Sequence, residues 1–507
     1  MLSISTVSAG GASSYYTKDG YYTQEQGEWQ GKGAEALGLS GPVDKEQFTN
    51  ILEGKSPDGS QEFIKAAGNG EHRAGLDLTF SAPKSVSVLS EVVGDERVKE
   101  AHDKAVSSTL DYVEKNYSQA RQKEDGESRH VDTGNLVIAK FDHNLSRELD
   151  PQLHTHCVIA NITQREDGQW RALSNEQLYD NKMLLGQHYR NELAANLKEL
   201  GFTCKSDEKG LFEVQGVDQK LMDHFSERKQ QIDQKVAEYK EAGKYENLSE
   251  PELREKACLA SRSAKQDVNI ETVKESWGKE LKELGYSKES IIEATREATT
   301  KAKEAETQRT EPKMNEYDYV RLATKAITEQ ESTFSKEEVL KVGGKMAATE
   351  HRIGDLDKAF DEMNKGKDKD IVQLAEKDGK SKREAVYTTK EMQRTEKEIV
   401  EKVQAGKDKM EPVMTKERIQ EGLKSYQEKA GFDMTGGQKE AAEHILTSKD
   451  KVIGIQGDAG SGKTTMLAAA RSGLEAEGYT VRGLSFTGKA ASEIEAASGI
   501  KSQTLHS

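Results

Sequence analysis

Three histidines crowd the run HNLSRELDPQLHTH, His143 to His156. In an extended chain side chains alternate between faces, so His154 and His156 project to one side. His143 closes the apolar run LVIAKFDH, and Asn144–Gln152, with Asp150-Pro151, reads as a hairpin connection. Folded so, His143 and His154 are cross-strand neighbours with Cβ atoms about 4.5–5.5 Å apart. Three converging imidazoles offer a metal ion a nitrogen face with positions left open, which suits catalysis better than structure. The plain alternative is a chance pair of strand histidines.

Two further groups could complete such a centre. SSYYTKDGYYT supplies Tyr15, Tyr16, Tyr21 and Tyr22. A tyrosine hydroxyl, with a reference pKa of about 10, needs activation before it attacks phosphorus. A divalent metal that polarises the phosphoryl oxygens lowers that barrier. The alternatives are helix packing or stacking on bases. Asp77, inside GLDLTFSAPKSVSVL, is an acid in an apolar strand-like run. It could orient a ligand histidine or accept the tyrosine proton, or it could point to water from an edge strand. Pro83 suits the first position of a following helix, whose N-terminus could hold a phosphate.

A separate constellation lies near the end of the sequence. Gly457–Thr464 reads GDAGSGKT, a P-loop match. The apolar Lys451–Gln456 is predicted to be the strand before it, and a helix is predicted from Thr465. Backbone amides of Gly457, Asp458, Ala459, Gly460, Ser461 and Gly462 would cradle phosphates. Lys463 would reach the β/γ-phosphates, and Thr464, followed by Thr465, would hold Mg²⁺.

The elements that must position these groups fall into three textures. Residues 1 to about 220 mix strand-like runs (Leu76–Phe80, Leu136–Phe141, Leu153–Ile162) with amphipathic helices over Glu96–Tyr117 and Ser174–Leu200, the second closed by Gly201. This predicts an α+β sheet with helices on one side. Residues from about 220 to 430 are rich in Lys, Glu, Gln and Ala and read as helices joined by polar linkers, in part disordered. From about Gly431 a β–loop–α texture returns.

The 507 residues, 34% hydrophobic and 32% charged, allow two to four domains with much solvated surface. Mean hydropathy is −0.82. No apolar run reaches the ~18 residues of a membrane span, and the N-terminus lacks a secretory pattern. Cys157, Cys204 and Cys258 are widely spaced and odd in number, so they suggest neither a zinc site nor a disulfide framework, and a cytoplasmic location is expected. The net charge is −15, and residues 1–200 carry 21 Lys+Arg against 31 Asp+Glu. Bulk charge therefore argues against indiscriminate nucleic-acid binding, and any DNA contact must use local basic patches and base contacts.

The first 300 residues resemble the relaxase domain of the TrwC/TraI-type (MobF) conjugative relaxases, a branch of the HUH endonucleases. The likeness rests on the MLSIS start, the paired tyrosines and WQGKGAEALGLSG (Trp29–Gly41). It continues in DLTFSAPKSVS (Asp77–Ser87), HNLSRELDPQLHTHCVIAN (His143–Asn161), WRAL (Trp170–Leu173) and LGQHYRNELAANLKELGF (Leu185–Phe202). The resemblance implies an HUH-type antiparallel sheet with helices. It implies Tyr15 as first nucleophile, Tyr21 or Tyr22 for a second strand transfer, and Tyr16 as a lesser participant. His143, His154 and His156 match the metal ligands, and Asp77 matches the acid beside them. The implied activity is nicking of one strand at a plasmid origin of transfer through a 5′-phosphotyrosine. Single-stranded origin DNA, relaxosome accessory proteins and a coupling protein are the implied partners, in a bacterial cytoplasm. Mg²⁺ or Mn²⁺ is the expected ion, and Zn²⁺ or Ni²⁺ also suits the ligands.

MTGGQKEAA (Met434–Ala442) resembles the Q motif of superfamily 1 helicases, with Gln438 reading adenine. LSFTGKAASEI (Leu484–Ile494) and SQTLHS resemble later segments of RecD-like motors. The expected plan is a relaxase over 1–300, a charged helical linker with helicase N-terminal helices over 301–430, and the first part of an α/β P-loop RecA-like domain over 431–507. No Walker B acid pair follows the P-loop before Ser507. ATP with Mg²⁺ is therefore expected only of an intact helicase, no turnover or unwinding is expected here, and residues 431–507 are expected to be loosely ordered. Two other readings stay open. One is a single-stranded-DNA-binding protein with a structural or degraded metal site. The other is a P-loop ATPase joined to an unrelated module.

Overall fold

The computed structural model describes residues 2–8, 27–64, 73–124, 126–261, 268–310, 312–365, 369–375, 385–458 and 460–506. Tyr15, Tyr16, Tyr21, Tyr22 and Ala459 lie outside them. The chain divides into two units, Met1–Lys390 and Glu391–Ser507.

The first unit is built on an antiparallel sheet. Its strands are β1 (Leu2–Ser8), β2 (Glu28–Gln30), β3 (Arg73–Ser81), β6 (Ile138–Leu145) and β7 (Pro151–Ala160), in the order β1-β3-β7-β6-β2. Between β3 and β6 the chain makes the hairpin β4 (Gln119–Glu124) and β5 (Glu127–Asp132). Alternation sorts the sheet's residues onto two faces. Leu76, Leu78, Phe80, Leu153, Cys157 and Ile159 turn to one core, and Val7, Ala74, Ala139, Phe141, Val158 and Ala160 to the other.

Two helices cover the first face. Helix α1 (Glu96–Tyr117) begins at Asp95, whose side chain caps the Arg97 amide. It buries Val98, Ala101, Ala105, Val106, Leu110 and Val113, the spacing of one helical stripe. The expected helix Ser174–Leu200 is instead two, Glu176–Asp180 and α2 (Lys182–Glu199). The break falls at Asn181, which caps the second helix without helical geometry. Helix α2 is buried nearly all round because it is packed on two sides. Leu185, Tyr189, Leu193 and Leu197 join α1 and the sheet, while Leu184 enters a separate helical core.

That second core explains residues 313–390, a stretch whose composition suggests only linked polar helices. Helices α3 (Glu316–Thr328), α4 (Lys336–Met346) and α5 (Ile353–Met363) enclose Val320, Leu340, Ile353, Leu356 and Phe360. They dock on α2 through polar anchors: Asn191 donates to the carbonyls of Gly344 and His351, and Arg352 pairs with Glu192 and Glu199. Buried polar groups satisfied in this way hold one arrangement.

The Trp29–Gly41 motif is backbone packing. A Cβ at Gly31 or Gly33 would lie 2.4 or 2.6 Å from the Leu136 carbonyl oxygen. The buried Glu114 of α1 accepts from the amides of both Lys32 and Leu136 at 2.8 Å.

In the second unit, helices α6 (Lys416–Ala430), α7 (Gly436–Thr447) and α8 (Lys463–Ala476) close a small core of Ile419, Leu423, Met434, Leu446 and Met466. These helices pack on one another through that core. Strands β8 (Gly483–Ser485) and β9 (Ser502–Thr504) pair in parallel. The strand expected at Lys451–Gln456 is absent, and Val452 and Ile455 stay exposed. A parallel strand needs a ladder partner and cover on both faces, and among the described residues this segment has neither.

Candidate active site

The histidine site lies on the sheet face turned away from α1 and α2. In β6 and β7, Phe141 pairs with His156 and His143 with His154, and the regular ladder breaks between His143 and Leu145. The hairpin brings the three rings together. Centroids are 5.4 Å apart for His143–His154, 5.1 Å for His143–His156 and 5.2 Å for His154–His156. β3 runs beside β7, placing Thr79 opposite His156 and Asp77 opposite Val158. Asp77 sits on an interior strand and is 5% exposed, so it is not an edge residue facing water.

The hydrogen bonds orient two of the rings. His156 donates from Nδ1 to Asp77 Oδ2 at 2.8 Å, and Thr79 Oγ1 lies 3.1 Å from the same nitrogen. His154 donates from Nδ1 to the Gln152 carbonyl at 2.8 Å. In each ring Nε2 is left with the lone pair a metal needs, and a carboxylate behind a histidine raises its basicity as a ligand. Desolvation, reinforced by His156, lowers the His154 pKa to about 4, against the opposing Gln152 carbonyl and Asp77. The ring is therefore neutral at pH 7. The donor chemistry fits a divalent metal ion. Among the described residues no three His, Cys, Asp or Glu side chains are placed so that they could hold a metal ion; what the hairpin supplies is three rings within about 5 Å of one another.

Sequence reasoning passed over Thr79 and the Gln152 carbonyl. Thr79 carried a signal, since it lies two residues beyond Asp77 on the same strand face. The helix after Pro83 differs from expectation. Pro83 is its N-cap, and the N-terminus is filled by the Glu213 carboxylate, which accepts from the Ser85 amide at 2.8 Å and its hydroxyl at 2.5 Å. That end is closed to a phosphate.

The P-loop residues are gathered on a second scaffold. Gly460 and Gly462 take positive φ of 78°, and Gly462 caps α8, which begins at Lys463 and carries Thr464 and Thr465 in its first turn. Lys463 donates from Nζ to the carbonyls of Gly457 and Asp458 at 2.7 and 2.8 Å. Gln438 joins the Thr435 capping box and donates from Nε2 to the Ser461 carbonyl at 3.1 Å.

Residues 9–284 match the family model of the TrwC relaxase. The chain belongs to that family. Residues 433–507 match an AAA domain model, so a relaxase and a P-loop domain are fused. The relaxase is 41% identical over 322 residues to the multifunctional conjugation protein TraI of Escherichia coli, covering 61% of this chain. It spans 17% of that protein's length. A conjugal transfer protein TraA of Rhizobium radiobacter is 46% identical over 70 residues, 14% of this chain and 6% of that protein. Among solved structures, conjugative relaxase TrwC in a metal-free complex with oriT DNA aligns at 42% identity and TM-score 0.52, covering 57% of this chain and all of that one. A copper-bound TrwC–oriT complex aligns over the same share at TM-score 0.51. Among the described residues no helix is long and apolar enough to cross a membrane.

Proposed function

We propose that the first unit nicks and rejoins one DNA strand at a plasmid origin of transfer. The observation that carries this reading is the sheet face shared by His143, His154, His156 and Asp77, with Asp77 on the strand next to β1, whose chain leads into the paired tyrosines. Tyr15 Oη attacks the scissile phosphorus, the Tyr–O–P bond forms, and the P–O3′ bond breaks to release a 3′-hydroxyl. The strand remains as a 5′-phosphotyrosine, which keeps the phosphodiester energy for rejoining. Tyr21 or Tyr22 serves the second transfer. The three histidines hold a divalent ion; when bound, it supplies charge to the phosphoryl oxygens. Asp77 holds the His156 ring and proton in place and stands as an acceptor for the tyrosine proton.

The acid excess of residues 1–200 fits DNA binding through local features. The β4–β5 ribbon carries Arg121 opposite His130 and Lys123 opposite Ser128, so the three basic groups share a face. A two-stranded ribbon is of a size the major groove admits. The P-loop unit is the nucleotide-binding start of a helicase, with Gln438, Lys463 and Thr464 toward ATP and Mg²⁺. Relaxosome accessory proteins and a coupling protein complete the cytoplasmic assembly that the sequence resemblance implies.

The test is covalent. Labelled single-stranded origin DNA should become attached to the protein, and Tyr15→Phe should abolish the adduct while binding stays near parental. Binding without any adduct by the parent protein would favour a DNA-binding protein with a degraded centre. A full-yield adduct in Tyr15→Phe would move the nucleophile to another tyrosine.

A further inference from the structure

Directly beneath the histidines, on the opposite face of the sheet, runs a buried polar chain. Tyr189 of α2, His102 of α1 and Thr155 of β7 are each no more than 1% exposed. Tyr189 Oη lies 2.7 Å from His102 Nδ1, His102 Nε2 lies 2.9 Å from Thr155 Oγ1, and Thr155 donates to Asp142 Oδ1 at 2.8 Å. The direction of the bonds follows from the ends. Thr155 has one proton, given to the Asp142 carboxylate, so its oxygen must accept from His102 Nε2–H. A neutral His102 then presents Nδ1 as an acceptor, and Tyr189 donates to it. Every member is satisfied in one order only.

The place of this chain in the ladder gives it meaning. Thr155 sits between His154 and His156, with its side chain on the reverse face. Asp142 is its cross-strand partner, and the next pair is His143–His154, after which the ladder breaks. The pair bearing two of the three histidines is therefore the last before the register shifts, with only Leu145–Pro151 paired beyond it. The Thr155–Asp142 bond ties the two strands one step inside that end, and His102 and Tyr189 tie the bond to both helices. An apolar residue at 155 would fill the same space without fixing that pair.

We propose that Thr155, held through His102 by Tyr189, is the positioning residue that sets the spacing of the three histidines. The inference rests on reading those histidines as a metal centre, and the experiment separates the two. The full chain, freed of metal, is titrated with Cu²⁺ and followed by its visible and electron paramagnetic resonance spectra, with His156→Ala defining signal from other sites. Thr155→Val, nearly the same shape without the hydroxyl, should weaken Cu²⁺ binding roughly tenfold or more, the size seen when outer partners of metal ligands are lost, and should shift the spectrum. Thr155→Ser should restore both. Binding of single-stranded origin DNA in chelator should stay within about twofold in all variants, because phosphate and base contacts hold it independently. Tyr189→Phe keeps the ring and removes the far donor, so it should shift the spectrum in the same direction by less, and it carries the test if Thr155→Val does not fold. If the parent protein gives no signal beyond that of His156→Ala, the metal reading itself fails. If the parent binds and the spectra and affinities of Thr155→Val and Tyr189→Phe superimpose on it, the chain is only structural and the inference is overturned.

Discussion

The histidine hairpin and the P-loop place comparable groups on different supports. His143, His154 and His156 stand on paired strands whose register sets their spacing, and Asp77 stands on the neighbouring strand. The P-loop residues stand on a turn after a segment that forms no strand, and Lys463 folds back on the carbonyls of Gly457 and Asp458. An ammonium needs acceptors, and here two of the loop's own carbonyl oxygens supply them. The difference is one of scaffold. A ladder fixes geometry before a ligand arrives, whereas a lone glycine-rich turn closes on itself.

The largest expected effect contrasts the two supports directly. His156→Ala should lower cleavage of origin DNA by at least about a hundredfold, and excess chelator should do the same to the parent protein. Lys463→Ala should leave cleavage within about twofold. Undiminished cleavage in chelator would remove the metal from the mechanism. A large loss in Lys463→Ala would show that the two sites do not act independently.

A second test breaks the ladder from within. Gly75 pairs with Ala160, and a Cβ there would fall 2.3 Å from the Ile159 carbonyl oxygen. Backbone cannot yield as a side-chain tip can, so β3 must move off β7. Gly75→Ala should cost about 2–4 kcal/mol of stability and displace Asp77 from His156. Denaturant unfolding of the parent and variant, with cleavage measured alongside, checks both parts.

The same contrast governs what could be read from the residues. Period-two alternation placed His154 and His156 on one face, and the Asp150-Pro151 turn placed His143 against them. The helix Glu96–Tyr117 was legible from its apolar stripe. Strand β2 was not, because three residues at a sheet edge carry no periodicity. His102 and Tyr189 were not, because a polar residue on an otherwise apolar helix face gives no sign of the partner it will meet. Lys451–Gln456 was misread for the converse reason: its apolar pattern reports strand propensity, and a strand exists only where another pairs with it.

Acid offers a further separation of the two units. His188 is buried beside Tyr112, with Thr109 Oγ1 at 3.0 Å from Nδ1. Desolvation lowers its pKa to about 3, with Arg352 adding to the shift. The unfolded chain takes up that proton near pH 6.5, the folded chain only near pH 3. Stability from this group is thus whole above about pH 6.5 and declines as pH falls toward 3. At pH 5 the loss is roughly 2 kcal/mol. His188→Gln should lessen the acid sensitivity of the first unit by that amount. The carboxyl of Asp103, raised to about 7 by burial and Asp142, acts in the opposite sense in parent and variant alike and cancels from the comparison. In the second unit His444 and His506 are exposed. Unfolding free energies at pH 7 and pH 5 measure the loss; an unchanged difference between the two proteins would deny the buried neutral state.

Gly462 gives the smallest effect and tests the P-loop on its own terms. Its φ of +78° disfavours any residue with a Cβ, and that Cβ would lie 2.0 Å from Gln438 Nε2. Here the obstacle is the end of a flexible side chain, so the strain is relieved by rotating Gln438 away. What remains is the left-handed backbone, about 1 kcal/mol at a helix terminus. Gly462→Ala should therefore speed hydrogen exchange in the first turn of α8 about fivefold and release Gln438 from the Ser461 carbonyl. Exchange around β3 and β7 should not change. A loss as large as that of Gly75→Ala would mean that the loop is braced by more than one side-chain contact, and the contrast between ladder and turn would have to be drawn less sharply.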